Sequence, residues 1–185
     1  MKSVSHIFGG EAKVKAMRLF IFNPNLTLSP IDVSKRIKER INVSRKELRS
    51  LVKAGLIKRR AKGFSLDQTY PHLVALENFL VDVAPITSEE LVKRISRAGN
   101  IKVILISGVF LHDKDSRVDI LVVGTHIKRP KLKSIIASFE AMLGKELRYS
   151  AFETADFQYR LSVYDKLIRD ILDYPHEKLL DKLGL

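Results

Sequence analysis

Turn-forming residues limit what the first 70 residues can become. Asn23-Pro24, Ser29-Pro30, Asn42, Gly55 and Lys62-Gly63 follow one another too closely for one long helix or strand. Between them, Glu11 to Phe22 carries Val14, Met17, Leu19, Phe20 and Ile21, the spacing of a helix with a buried face, and Asn23-Pro24 ends it. Ser29 is placed to cap a second helix with Pro30 at its first position and Ile31, Val33 and Ile37 turned inward. After a short turn through Ile41 to Val43, Ser44-Arg45-Lys46-Glu47 matches a capping box, in which hydroxyl and carboxylate each satisfy an orphan helix N–H. The third helix is therefore expected to begin at Ser44, run to about Ala54 and stop at Gly55. Leu56 to Ala61 and Phe64-Ser65-Leu66 flank Lys62-Gly63 as a β-hairpin.

Charge is distributed unevenly over these pieces. The chain carries 33 Lys and Arg against 21 Asp and Glu, a net of +12. Residues 1–70 hold 16 of the bases and 5 of the acids, whereas residues 71–185 are nearly balanced at 17 against 16. Charge concentrated in one segment is the mark of a polyanion-binding face. A basic membrane-surface segment would need one long amphipathic helix, which the breaks forbid. No apolar run exceeds four residues, as in Val103 to Ile106, which breaks at Ser107-Gly108, far short of the roughly 20 residues that span a bilayer. The opening MKSVSHIFGGEAK has no apolar signal-peptide core, and the absence of cysteine excludes disulfides and thiolate metal sites. These features lead us to expect a cytoplasmic protein without a membrane partner.

Three short helices followed by a basic hairpin are the parts of a winged helix-turn-helix, expected over residues 1–70. In that geometry the third helix enters the major groove. Its leading end here holds Ser44, Arg45 and Lys46, with Arg49 and Lys53 one and two turns on. Arg45 and Arg49 are four apart and share a face, while Leu48, Leu51 and Val52 are expected to point to the core. Arginine can bond guanine in bidentate fashion and lysine neutralises phosphate. Lys58, Arg59, Arg60 and Lys62 on the hairpin are placed to follow the backbone or reach a minor groove. Double-stranded DNA is the expected partner. A homodimer is the economical way to present two such helices to paired half-sites.

Pro71 to Val83 (Leu73, Val74, Leu76, Phe79, Leu80) reads as a bridging helix, so that residues 71–86 connect to a second domain over 87–185. There Thr87-Ser88-Glu89-Glu90 matches another capping box, and its helix ends at Ala98-Gly99. Ile101 to Ser107 and Val118 to Val123 read as strands separated by the polar segment Leu111 to Arg117. Lys131 to Leu143 reads as a helix ending at Gly144, Glu146 to Phe152 alternates like a strand, and two helices are expected to close the chain. The fold class is thus a two-domain α+β and α/β protein, the second domain having a small mixed sheet and terminal helices.

The stretch Ser107-Gly108-Val109-Phe110 … Ser116-Arg117-Val118-Asp119-Ile120-Leu121-Val122-Val123-Gly124 resembles the minimal nucleotidyltransferase domain. Active members of that family carry Gly-Ser after one strand and Asp-x-Asp on the next, with a third carboxylate from a later strand, to hold divalent metals at a nucleotide triphosphate. This chain keeps Gly108 but has Val109 at the serine position. Arg117 stands where the first aspartate would be, leaving Asp119 alone, and Leu147 to Phe152 offers no carboxylate. A cation beside Asp119 neutralises it rather than helping it gather metal. With Phe157 … Leu167-Ile168-Arg169-Asp170-Ile171-Leu172 … Pro175, the whole chain is similar to prokaryotic winged-helix regulators fused to a nucleotidyltransferase-like domain. The resemblance implies a DNA-binding transcriptional regulator whose vestigial motif, Gly108, Arg117 and Asp119, is not catalytic and needs no metal or cofactor. Two other readings stay open. One is an active metal-dependent nucleotidyltransferase with an autoregulatory DNA-binding domain. The other is a partner-recruiting domain built on Leu167, Ile168, Ile171, Leu172, Leu179, Leu180 and Leu183.

Overall fold

A computed structural model describes residues 2–83, 85–111, 113 and 116–185. The chain forms two compact units: residues 1–86 with 137–146, and residues 87–136 with 147–185. It is a mixed α/β protein with a two-stranded and a four-stranded sheet.

The first unit opens with α1 (Lys2–Ile7) and α2 (Glu11–Ile21), followed by α3 (Pro30–Ile37) and α4 (Ile41–Lys53). Ser29 caps α3 as its sequence predicts: its hydroxyl accepts from Asp32 N–H while Asp32 reaches back to Ser29 N–H, a complete capping box with Pro30 in the first turn. Ile31, expected inward, is instead 56% exposed, and Val33 and Ile37 carry the contact with the core. The hairpin β1 (Ile57–Arg60) and β2 (Gly63–Leu66) pairs antiparallel, Ile57 opposite Leu66 and Arg60 opposite Gly63. Phe20, Val33, Ile37, Leu48, Leu56 and Ile57 meet in one core, each contributing about 1.5–3 kcal/mol by burial. Leu80 of α5 (Leu73–Asp82) joins them. Buried Arg18 on α2 fastens the end of α5, its Nη2 donating to the carbonyls of Leu80 and Val83 at 2.6 Å each. A cation suits a helix C-terminus, where carbonyls lack partners. Burial pushes the Arg18 guanidinium down to about 10, so it stays charged at neutral pH.

In the second unit, α6 (Ser88–Ile95) is capped by Thr87, whose Oγ1 accepts from Glu90 N–H. The strands β3 (Asn100–Ile106), β4 (Ile120–Thr125), β5 (Tyr149–Glu153) and β6 (Glu177–Asp181) form a mixed sheet in the order β5-β4-β3-β6. The β4 and β5 strands run parallel, joined through α7 (Arg129–Leu143), whose residues from 137 onward belong to the first unit. Both neighbours of β3 are antiparallel to it. Val103, Leu105, Leu121 and Val123 pack with Phe157 of α8 (Thr154–Ser162) and with Ile168 and Ile171 of α9 (Lys166–Asp173).

The chain end corrects the expectation of a closing helix. Leu179 and Leu180 lie on β6, an edge strand on β3, with Leu180 opposite Ile104. Pro175 interrupts helical continuation, and its carbonyl accepts from the buried Ser107 hydroxyl, which directs the chain onto the sheet. Buried β3 needs a hydrogen-bonding neighbour on each side, and β6 supplies the second.

Candidate nucleic-acid interface

The turn into α4 is built by three residues. Lys38 adopts a left-handed conformation (φ 53°) just past α3, and the Ser34 hydroxyl donates to the Glu39 carbonyl at 2.8 Å. The helix then starts at Ile41, with Arg40 as its flanking residue and no side-chain cap. This corrects the expected start at Ser44. Ser44 lies inside the first turns, fully buried, and its hydroxyl turns back toward the Arg40 carbonyl at 3.4 Å. Glu47, expected to complete a cap, is also buried and faces Lys13 on α2 at 3.7 Å. The sequence did hold a signal for the earlier start. Ile41, Ser44, Leu48 and Leu51 recur at helical spacing, with a small residue where packing is tightest.

With Ser44, Glu47, Leu48 and Leu51 turned in, the outward face of α4 carries Asn42, Arg45, Lys46, Arg49, Val52 and Lys53, all exposed. Val52, expected in the core, is 38% exposed at the edge of this face. Arg45, Arg49 and Lys53 succeed one another at i, i+4 and i+8. Among the described residues none of the four cations has an ion-pair partner, because the helix's single carboxylate faces inward. Like charges at this spacing cost about 0.2–0.5 kcal/mol per pair. Two other cations of this unit are neutralised: Lys15 by Glu39 at 2.8 Å and Arg36 by Glu146 at 3.2 Å.

On the adjacent hairpin Ile57 is buried, while Lys58, Arg59 and Arg60 all lie exposed. Lys58 is held by Asp67 at 2.9 Å. That ammonium, with the Thr69 hydroxyl and N–H, pulls the Asp67 carboxyl down from 3.8 to about 2. The Arg59 guanidinium lies 6.0 Å from the centre of the Phe64 ring, and Arg60 Nε donates to the Ser65 hydroxyl at 3.1 Å. Lys62 projects from the turn without an ion-pair partner among the described residues. Gly63 fixes where the hairpin sits. Its φ is +145°, and a Cβ there would fall 2.3 Å from the Leu28 carbonyl oxygen. Leu28 and Phe64 exchange both backbone hydrogen bonds at 2.9 Å, tying the hairpin to the residue before the α3 cap.

The second motif behaves differently. Asp119 is 3% exposed just before β4. Its Oδ1 accepts from Val109 N–H at 3.0 Å and its Oδ2 from Arg148 N–H at 2.8 Å, and the Arg148 guanidinium approaches both oxygens at 3.3–3.4 Å. Gly108 turns at φ +54°, where a Cβ would lie 2.1 Å from Asp119 Oδ1. Arg117 points elsewhere, pairing with Asp170 at 3.0 Å. Gly108 and Asp119 therefore meet and Arg117 does not join them. Arg148, which sequence reading passed over, neutralises Asp119. Lys114 and Asp115 lie outside the described residues. Among those described, no group of three or more His, Asp or Glu is placed to hold a metal, and no helix is long and apolar enough to cross a membrane.

Comparison with family models, with curated proteins and with solved structures gave no match.

Proposed function

We propose that the chain is a transcriptional regulator that binds duplex DNA through the exposed face of α4 and the basic hairpin beside it. The observation that carries the reading is the α4 face. Arg45, Lys46, Arg49 and Lys53 stand exposed and without ion pairs among the described residues, on a helix entered by a three-residue turn from α3. A short turn between two helices followed by a tethered hairpin is the arrangement of a winged helix-turn-helix, in which such a helix reads the major groove. Arginines at i and i+4 suit base edges, while Lys46, Lys53 and Lys62 suit phosphates. Within the hairpin, Arg59 is braced by Phe64 and Arg60 by Ser65, which lowers the entropy lost on contact.

The second unit, in this reading, resembles a nucleotidyltransferase without acting as one. Asp119 accepts from two backbone N–H groups and is neutralised by Arg148, which weighs against its gathering a metal. A second copy would supply the second reading helix of a symmetric site.

Selection of bound sequences from random duplex DNA, followed by titration of the selected site at several salt concentrations, tests the reading. We expect an enriched, two-fold symmetric site and binding that weakens steeply with salt. Failure to bind any duplex at low salt rejects it. Incubation with labelled nucleoside triphosphates and Mg²⁺ is expected to transfer no label.

A further inference from the structure

The second unit has a basic surface of its own. It carries sixteen Lys and Arg against twelve Asp and Glu, and the excess of four equals a single cluster, Lys128, Arg129, Lys131 and Lys133. All four are exposed, within little more than one turn at the start of α7. Among the described residues none of them forms an ion pair. Arg94, Arg117, Arg148, Arg160 and Arg169 of this unit do, and its other cations without an ion pair among the described residues, Lys93, Arg97, Lys102, Lys166 and Lys182, are scattered singly along the sequence rather than gathered.

Their position is electrostatically unfavourable for the helix. The leading end of a helix favours acids, yet the first turn of α7 has none. Arg129 and Lys133 are also like charges at i and i+4. Folding alone gives no reason to gather them there. The mounting is also firm. Lys128 N–H donates to the Ala98 carbonyl at 2.7 Å, and the Glu153 carboxylate accepts from His126 N–H and Ile127 N–H at 2.9 and 3.0 Å. Glu153, the carboxylate held against this loop, is thus engaged with backbone. Leu132 is buried and Ile127 partly so. The cluster therefore presents cations without the exposed apolar side chains that insert into a lipid surface.

We infer that Lys128, Arg129, Lys131 and Lys133 form a second contact surface for the DNA phosphate backbone, separate from α4 and carried by the other unit. This rests on the reading of the chain as a duplex-binding protein. Three of its four groups are lysines, which meet phosphate as point charges, so it adds affinity without altering sequence preference.

The test uses the full chain with all four residues changed to glutamine, and a second variant with all four changed to alanine, each checked for folding by circular dichroism. Both are titrated against the selected duplex with long flanks over a salt series. The expected result is a slope of log affinity against log salt reduced by about 3–4, at roughly 0.9 per phosphate contact, with the ranking of sequences unchanged. Wild-type affinity and slope in both folded variants overturn the inference while leaving the α4 reading in place. Wild-type chain that binds no duplex removes that reading as well. Loss of binding to phosphatidylserine vesicles with an unchanged DNA slope overturns it in favour of a membrane surface.

Discussion

The outer face of α4 and the turn around Asp119 both gather charge, and they dispose of it in opposite ways. On α4 four cations stand in water, unpaired among the described residues, while the one acid of the helix is folded inward against Lys13. At Asp119 the carboxylate is buried and its oxygens are consumed by Val109 N–H, Arg148 N–H and the Arg148 guanidinium. Charge that is fully bonded within the protein is committed to the fold. Charge that stays exposed and uncompensated costs stability and remains available to a partner. Substitutions in the two regions should therefore separate cleanly, one set changing stability and the other changing binding.

The largest effect is expected at Asp119. Asp119→Ala strands two backbone donors and an arginine, and should lower unfolding free energy by about 3 kcal/mol in urea titration, with DNA binding retained wherever the variant is folded. A loss below about 1 kcal/mol would mean that the carboxylate is not the structural group described. Arg45→Ala should do the reverse, weakening binding to the selected site by about 1–3 kcal/mol with stability changed by less than about 0.5 kcal/mol. Equal affinity for wild type and variant would remove Arg45 from the interface.

The hairpin lies between these extremes, since Lys58 is both exposed and paired. The Asp67 carboxyl is held below its ordinary value, so the stability it lends is present above about 3.8 and drains away as pH falls toward about 2. Thermal unfolding of wild type and Asp67→Asn should differ at neutral pH and converge near the bottom of that window. Parallel curves throughout would contradict the Lys58–Asp67 pair. The smallest effect is expected for Ser44→Ala, which replaces a buried helix-interior serine with a better helix former and should shift stability by no more than about 0.5 kcal/mol, leaving binding intact. A loss near 1 kcal/mol would restore Ser44 as a helix cap.

The Ser44 and Pro175 regions also show what could be read from the sequence. Local chemistry was legible where a side chain bonds its own neighbourhood: Ser29 at the head of α3 and Thr87 with Glu90 N–H stand where the residues place them, whereas the hairpin turn falls one residue earlier than Lys62-Gly63, at Ala61-Lys62, with Gly63 opening β2. The start of α4 was obscured because Ser-x-x-Glu also fits a helix interior when core packing claims both residues. The closing strand was obscured because Leu179 and Leu180 are paired by β3, some seventy residues earlier, and no local period records that partner. At the candidate interface, Arg45, Lys46, Arg49 and Lys53 were legible from spacing and charge. That no described residue pairs with them was not, since it depends on Glu47 turning inward. Likewise Asp119 was legible as an orphaned carboxylate, but its neutralisation by Arg148 arises only when β5 lies parallel to β4.

The most direct test of the central claim is titration of one selected duplex with the wild-type chain and with R45A/K46A/R49A/K53A across a salt series. The uncompensated α4 face predicts a folded variant at least as stable as wild type, specific affinity reduced at least 100-fold, and a salt slope shallower by about 2–4. A folded variant that binds the same duplex with wild-type affinity and slope would contradict it.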